Sequence, residues 1–368
     1  MRWPVILLCV VLAITGCGGA MSNIYTKLPN PDVLPINDGR DISFSPNKDY
    51  VAIASDGAPY LLIYKRSGDT FTKLPDPDVL PSYRVTGVAF SGNSEYLAVG
   101  SMSEPVLIIY KRSGDTFTAL SFDSSGIENY VHPTFSPDSA YLVLALEWGA
   151  FIRVYKRSGD TFTELSSPCV TPEDASTFEA TFSPDGTYLA FACYVSPYIL
   201  LYKHAGDAFT RLPDPDVLPP DYTFGVTFSP CGNYVATASY GTPYMTIYKR
   251  SGDTFTKLPD PAILPTSIAR SISFRADYDK VGYLAVGTES PPFIAIYKRN
   301  GDVFTKFANP ATTPTGACWA MSFSPDGVYL AAAHYWTPYI TIYKAPDIET
   351  PPHSFPWVGR FQLSHVTA

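Results

Sequence analysis

The sequence predicts an all-β chain closed into a ring of seven four-stranded units, and three observations predict it. One pattern recurs around Phe44, Phe90, Phe135, Phe182, Phe228, Phe274 and Phe323, at steps of 46, 45, 47, 46, 46 and 49 residues. A fixed period in this range marks a repeat architecture. Each copy holds four short runs rich in β-branched and aromatic residues, bounded by Gly, Pro, Ser and Asp, and no stretch keeps a helical period. The chain also starts its pattern on a fourth run and stops it on a third, so its two ends complement one another. Four strands per unit at this period describe the blade of a β-propeller.

The elements follow in order within each copy. The first strand ends at the repeated phenylalanine, as in Gly87-Val88-Ala89-Phe90. A turn of the Ser-Pro-Asp-Gly kind follows, in which Pro sets φ and Gly tolerates positive φ. The second strand is Tyr96 to Val99 or Tyr188 to Phe191, and the third is the run from Tyr60 to Lys65. A Ser67-Gly68-Asp69 type of turn leads to a short fourth strand, Phe71 to Leu74.

The unit resembles the WD40 repeat over nearly the whole chain after residue 22. FSPDGTYLA at Phe182 to Ala190 is similar to that family's first turn and second strand, and Ile247-Tyr248-Lys249 stands where the family has Ile-Trp-Asp. The resemblance implies a seven-bladed propeller. Tyr replaces Trp, Lys replaces Asp, and a PDPDVLP type of loop replaces the Gly-His pair, so the family's buried His–Asp network is not expected here. Fold does not fix function.

At 368 residues the chain would ordinarily suggest two domains, but seven blades make one ring over residues 22–344. Residues 24–35 repeat a fourth strand and its loop without the three strands before them. The seventh copy supplies three strands, up to Tyr343-Lys344. The N-terminal strand is therefore expected to complete the last blade and remove the ring's sheet edge. Residues 345–368 lie outside the repeat, and their four prolines argue for an irregular tail that docks Trp357 or Phe361.

Residues 1–17 read as an export signal: Arg2, an apolar run from Val5 to Ile14, then Ile14-Thr15-Gly16-Cys17, which resembles a lipoprotein processing site. Cys17 would carry the lipid. A tether of some six residues reaches at most ~20 Å, so the turn face would lie near the membrane and the loop face would point away. The expected location is then the cell envelope, periplasmic or surface. Translation from Met21 is the alternative, which would make a non-exported structural propeller, such as a viral one.

A net charge of −8 without a basic stripe argues against a nucleic-acid partner. The recurring Lys-Arg pairs, such as Lys65-Arg66 and Lys249-Arg250, read as solvated turns with aspartates nearby. Thirty-five prolines fall mostly in turns. Cys9 leaves with the signal. Cys169, Cys193, Cys231 and Cys318 have no metal-site spacing, and four buried thiols are preferred over a Cys169–Cys193 disulfide. The Ser-Pro-Asp-Gly turns resemble the aspartate boxes of sialidase propellers, which are structural. Asp76, Asp78, Asp214 and Asp216 lack a calcium-loop pattern and read as a solvated acidic rim. No metal or cofactor is expected.

The informative positions stand where the first strands begin, at the mouth of the central channel. Four residues before each repeat phenylalanine come Arg40, Thr86, Val131, Phe178, Phe224, Arg270 and Trp319. Next come Asp41, Gly87, His132, Glu179, Gly225, Ser271 and Ala320, with Arg84 just upstream of its strand. Variation on a repeated scaffold suggests a binding surface; the alternative is drift at unconstrained positions. The loops after the second strands share that face and carry Glu147, Trp148, Tyr194, Tyr240, Glu289, Tyr335 and Trp336, good material for protein or sugar recognition. The expectation is a monomeric, lipid-anchored binding or scaffolding module with a protein, small-molecule or sugar ligand. The alternative is a lactonase- or hydrolase-like enzyme using Arg40, Arg84, Arg270, His132 and Glu179.

Overall fold

The computed structural model describes residues 24–127, 130–147, 152–166, 176–275 and 281–346. The signal and Cys17, Met21, Trp148, Cys169, Trp357 and Phe361 lie outside them. Among the described residues there are seven four-stranded antiparallel sheets and no helix. Blade 1 is built from Gly39–Phe44, Tyr50–Ser55, Leu61–Ser67 and Thr70–Lys73, in that order from the channel outward. Blades 2 to 6 repeat it over 85–119, 131–164, 177–211, 223–257 and 269–307.

Blade 7 takes Cys318–Phe323, Tyr329–His334 and Ile340–Lys344, and its fourth strand is Thr26–Lys27 from the other end of the chain. Thr26 pairs with Lys344 and Lys27 with Tyr343, and Leu28 N–H donates to the Ile342 carbonyl at 2.8 Å. Tyr25, 1% exposed, and Leu28 anchor the strand in the flanking cores.

Six of the seven second strands are buried along their whole length, because blades pack on both of their faces, while in blade 6 Tyr283 is half-buried. Runs such as Tyr-Leu-Ala-Phe-Ala-Cys are therefore continuously apolar rather than alternating. Gly186, Gly232 and Gly327 take positive φ in the first turn, as the sequence requires.

The turn end of the ring is tied blade to blade. The tyrosine opening each second strand donates its hydroxyl to the aspartate of the next blade's Ser-Gly-Asp turn: Tyr50 to Asp115, Tyr96 to Asp160, Tyr141 to Asp207, Tyr188 to Asp253, Tyr234 to Asp302 and Tyr329 to Asp69, all at 2.6–2.7 Å. A lysine from the tyrosine's own blade reaches the same carboxylate, as Lys65 does Asp115 at 2.7 Å. An arginine of the next blade covers the ring, as Arg112 does Tyr50 at 5.1 Å. The lysine bond, then the tyrosine bond, hold these carboxyls below their ordinary range. The Lys-Arg pairs are thus blade-to-blade fasteners. In blade 4, His204 stands in for the arginine and meets Tyr141 edge-on at 4.8 Å.

The junction from blade 6 to blade 7 differs, because the chain break falls where the Ser-Gly-Asp turn would be. There Arg275 covers Tyr283 at 5.2 Å and donates to the carbonyls of Gly327 and Pro346.

The acidic loops are exposed, as expected of a solvated rim, and they also bond to neighbouring strands. Asp78 and Asp216 accept the N–H groups of Ala119 and Lys257 at 2.8 Å, on the outer strand of the following blade, and Asp32 does the same for Lys73. Outer sheet edges are thereby partly covered. Asp76 and Asp214 pair with Lys73 and Arg211. Cys231 is exposed, against the expectation that it is buried, because it occupies the turn position held elsewhere by Asn or Asp. Cys193 and Cys318 are buried free thiols, whose burial pushes their ionisation well up.

Candidate functional site

The mouth is shaped by β-bulges. In six blades the first strand slips register by one residue, between Gly39 and Asp41 in blade 1 and at the matching places in blades 2, 4, 5, 6 and 7. The extra residues are Arg40, Thr86, Phe178, Phe224, Arg270 and Trp319. A bulge re-aims a side chain, here at the channel mouth. Blade 3 pairs straight through, Val131 with Leu146 and His132 with Ala145. Val131 is therefore fully buried at the position of Gly39, and the ring of seven mouth residues expected by counting has six members.

Five of the six stack into a collar. Phe178 meets Phe224 at 5.3 Å, and the Arg270 guanidinium lies over Phe224 at 3.8 Å and over Trp319 at 4.5 Å. Arg40 covers Trp319 at 4.7 Å, and Tyr335 packs on the same indole at 5.3 Å. Such cation–π contacts strengthen with desolvation. Carboxylates from the loops fix the arginines. Arg270 Nε donates to Glu289 at 2.6 Å, and Arg40 Nε and Arg84 Nε reach the same oxygen of Asp56 at 2.8 and 2.7 Å. Blade 3 leaves a gap in the collar, flanked by His132 and Glu147, whose side chains approach to 3.6 Å.

Inside lies a cavity of about 360 Å³, lined by all seven first strands. Asp41 accepts Ile42 N–H at 2.7 Å and Val88 N–H at 2.8 Å. Burial raises its carboxyl, while the Val88 bond and the nearby His132 oppose the rise. Glu179 accepts Val226 N–H at 3.3 Å, and burial followed by the charge of Asp41 pushes its carboxyl up to about 8. Glu179 is thus largely neutral at pH 7.

The structure brings Arg40, Arg84 and Trp319 together with Arg270, and sets Asp41, His132 and Glu179 in the channel below them. Tyr194 and Tyr240 extend the collar outward: they flank Tyr222 at 5.0 and 4.7 Å, Tyr222 reaches Phe224 at 5.1 Å, and Tyr194 meets Phe178 at 6.2 Å. Tyr194 is 52% exposed. Trp336, 65% exposed, stands apart on its loop. Both faces of Trp319 are occupied, so its indole serves as a slab in the wall. Sequence reasoning missed Asp56, Tyr222 and a lower ring of hydroxyls, Ser43, Thr134, Thr181, Thr227, Ser273 and Ser322. That ring was readable as the column one residue before the repeat phenylalanine.

No family model matches the chain, and no curated protein does. Solved structures are similar to it in fold. One is a Kuenenia stuttgartiensis hydrazine synthase chain, at a TM-score of 0.66 and 16% identity over 86% of this chain and 98% of that one. U3-55K matches at 0.63 and 11% over 88% and 99%, and the RRP9 WD40 repeats at 0.63 and 12% over 89% and 98%. At such identities the likeness is one of architecture, and the architecture is that of a WD40-like seven-bladed β-propeller.

Proposed function

We propose that the chain is a recognition module working through its channel mouth. The observation that carries this is the bulge collar: on a scaffold that otherwise repeats, six bulges present four residue types, five of the six side chains being locked by stacking and ion pairs above a cavity. Preorganised aromatic and arginine side chains around a concave site are what tight binding uses. A lipid on Cys17 would present this face away from a cell-envelope membrane. Fatty-acid labelling that Cys17→Ala abolishes tests the anchor, and its absence in wild type favours a start at Met21. The binding test compares Trp319→Ala and Arg270→Ala with the turn-end double change Lys249→Ala and Arg250→Ala against a captured partner. At equal folding, the mouth changes should weaken binding at least tenfold, about 1.4 kcal/mol. The turn-end change should leave it within threefold. The reverse pattern would overturn the proposal.

One observation favours an enzyme as second reading: His132 beside Glu147, in the same cavity as Glu179, whose carboxyl burial pushes up to about 8. Turnover of a lactone or ester panel, lost in His132→Ala, would decide for it.

A further inference from the structure

Below the collar, the cavity is rich in acceptors. Asp41 on blade 1 and Glu179 on blade 4 both face the channel. Each is followed around the ring by a blade with glycine at its own position, Gly87 or Gly225, and each takes a backbone N–H of that next blade. A Cβ on Gly225 would come within 3.1 Å of Glu179 Oε2, so the glycine makes room for the carboxyl. The mouth arginines are engaged elsewhere: Arg40 and Arg84 with Asp56, Arg270 with Glu289. Among the described residues Glu147 has His132 beside it. Ser271, 5% exposed, also borders the cavity, but its Oγ is turned away from it against Gly287. Hydroxyls from Ser43, Thr134, Thr181, Thr227, Ser273 and Ser322 line the wall below.

We propose that the channel cavity binds a small organic cation, a protonated amine, held by Asp41 and Glu179 and by wall hydroxyls such as that of Thr181. This deepens the recognition reading and rests on it. An ammonium brings three donors and no acceptor, the complement of what the cavity offers. A hard metal ion would need six or more oxygen ligands, and among the described residues no three His, Cys, Asp or Glu side chains converge to hold one. Phe178 and Phe224 at the rim add aromatic faces for a cation passing inward.

Protonation is linked to this binding. Glu179 is faced by Asp41, by His132 and Glu147 of blade 3, and by Arg40 and Arg270 in the collar. Burial and the Asp41 charge keep it protonated at neutral pH. A bound ammonium restores the missing counter-charge, so binding at pH 7 expels a proton.

The test is calorimetry on the full chain at pH 7 in two buffers of different ionisation enthalpy. The probes are 1,4-diaminobutane and ethylamine, with acetate and glucose as the anion and sugar arms. The expected result is amine binding with release of up to one proton. Glu179→Gln should weaken it at least tenfold and abolish the release, and Thr181→Val should weaken it less. Melting curves check that both variants fold. Failure of both amines, or amine binding indifferent to Glu179→Gln, overturns the proposal. Acetate or glucose binding that depends on Trp319 would overturn the cation and leave the recognition reading standing. Partner capture insensitive to Trp319→Ala and Arg270→Ala would instead remove that reading.

Discussion

At the turn end of the ring, six tyrosines meet six aspartates of the next blade at 2.6–2.7 Å, and the same lysine joins each pair. At the mouth end, the six bulge residues are Arg, Thr, Phe, Phe, Arg and Trp, and apart from the two arginines, each tied to a loop carboxylate of its own blade, the contacts differ from blade to blade. The strands are the same, so the difference lies in where partners come from. A turn-end residue needs its counterpart in the neighbouring blade, which ties each copy to the next. A mouth residue finds partners in a loop of its own or an adjacent blade, as Arg270 finds Glu289 and Arg84 finds Asp56. Such groups can differ from blade to blade without disturbing the scaffold.

The contrast breaks most severely if the ring is opened. Removing residues 24–29 takes away buried Tyr25 and Leu28 and bares the third strand of blade 7. It should cost ~3–6 kcal/mol and produce oligomers by light scattering. A monomer that melts like wild type would refute closure by the N-terminal strand.

Next in size is the mouth-end acid. The carboxyl of Glu179, pushed up to about 8 in the folded protein, stands above its ordinary value of 4.5. Between these values the folded protein holds a proton that the unfolded chain releases. The stability tied to this group is fully present below 4.5 and is lost as pH rises toward 8, at up to ~1.4 kcal/mol per pH unit. Glu179→Gln should flatten that slope in denaturant titrations. An unchanged slope would mean that the carboxyl is not buried as described. The turn-end aspartates have the opposite sign: held low, they contribute above the ordinary carboxylate range and lose their contribution as acid protonates them.

The smallest effect sharpens the comparison within the turn end itself. Tyr329→Phe removes a bond to Asp69 and should cost ~1–2 kcal/mol. Tyr283→Phe, at the junction without an aspartate turn, should cost under ~0.5 kcal/mol. Equal losses would deny the fastener its role.

Blade number, strand order and closure were legible because a period of about 46 residues carries them redundantly. Turn geometry was legible for the same reason, through Gly186 and its counterparts. The collar was half legible: its residues stood out as the positions that fail to repeat, but their contacts are non-local. Nothing adjacent to Arg40 announces Asp56, and nothing near Trp319 announces that guanidinium groups from two other blades will cover it. Val131 was misplaced because a bulge is a one-residue event, and counting back from Phe135 assumes the same pairing in every blade. The Lys-Arg pairs were read as solvated since their aspartates lie some 50 residues on, in the next copy.

The turn-end contacts all point one way around the circle, each blade's tyrosine and lysine leaning on the blade that follows. Among the described residues the step from blade 6 to blade 7 lacks this handoff, and it is the step at which the N-terminal strand completes a blade. At that seam the third and fourth strands of blade 7 come from opposite ends of the repeat, and Arg275 of blade 6 bridges the junction instead. A circular permutant follows from this. Joining residue 344 to residue 26 through a Ser-Gly-Asp linker would supply Tyr283 and Lys298 with the carboxylate they lack. Cutting instead between Ser251 and Thr254 would move the weak step to the junction of blades 4 and 5, where Tyr188 and Lys203 would lose Asp253. The ring would keep its shape while its order of opening under denaturant rotated with the cut.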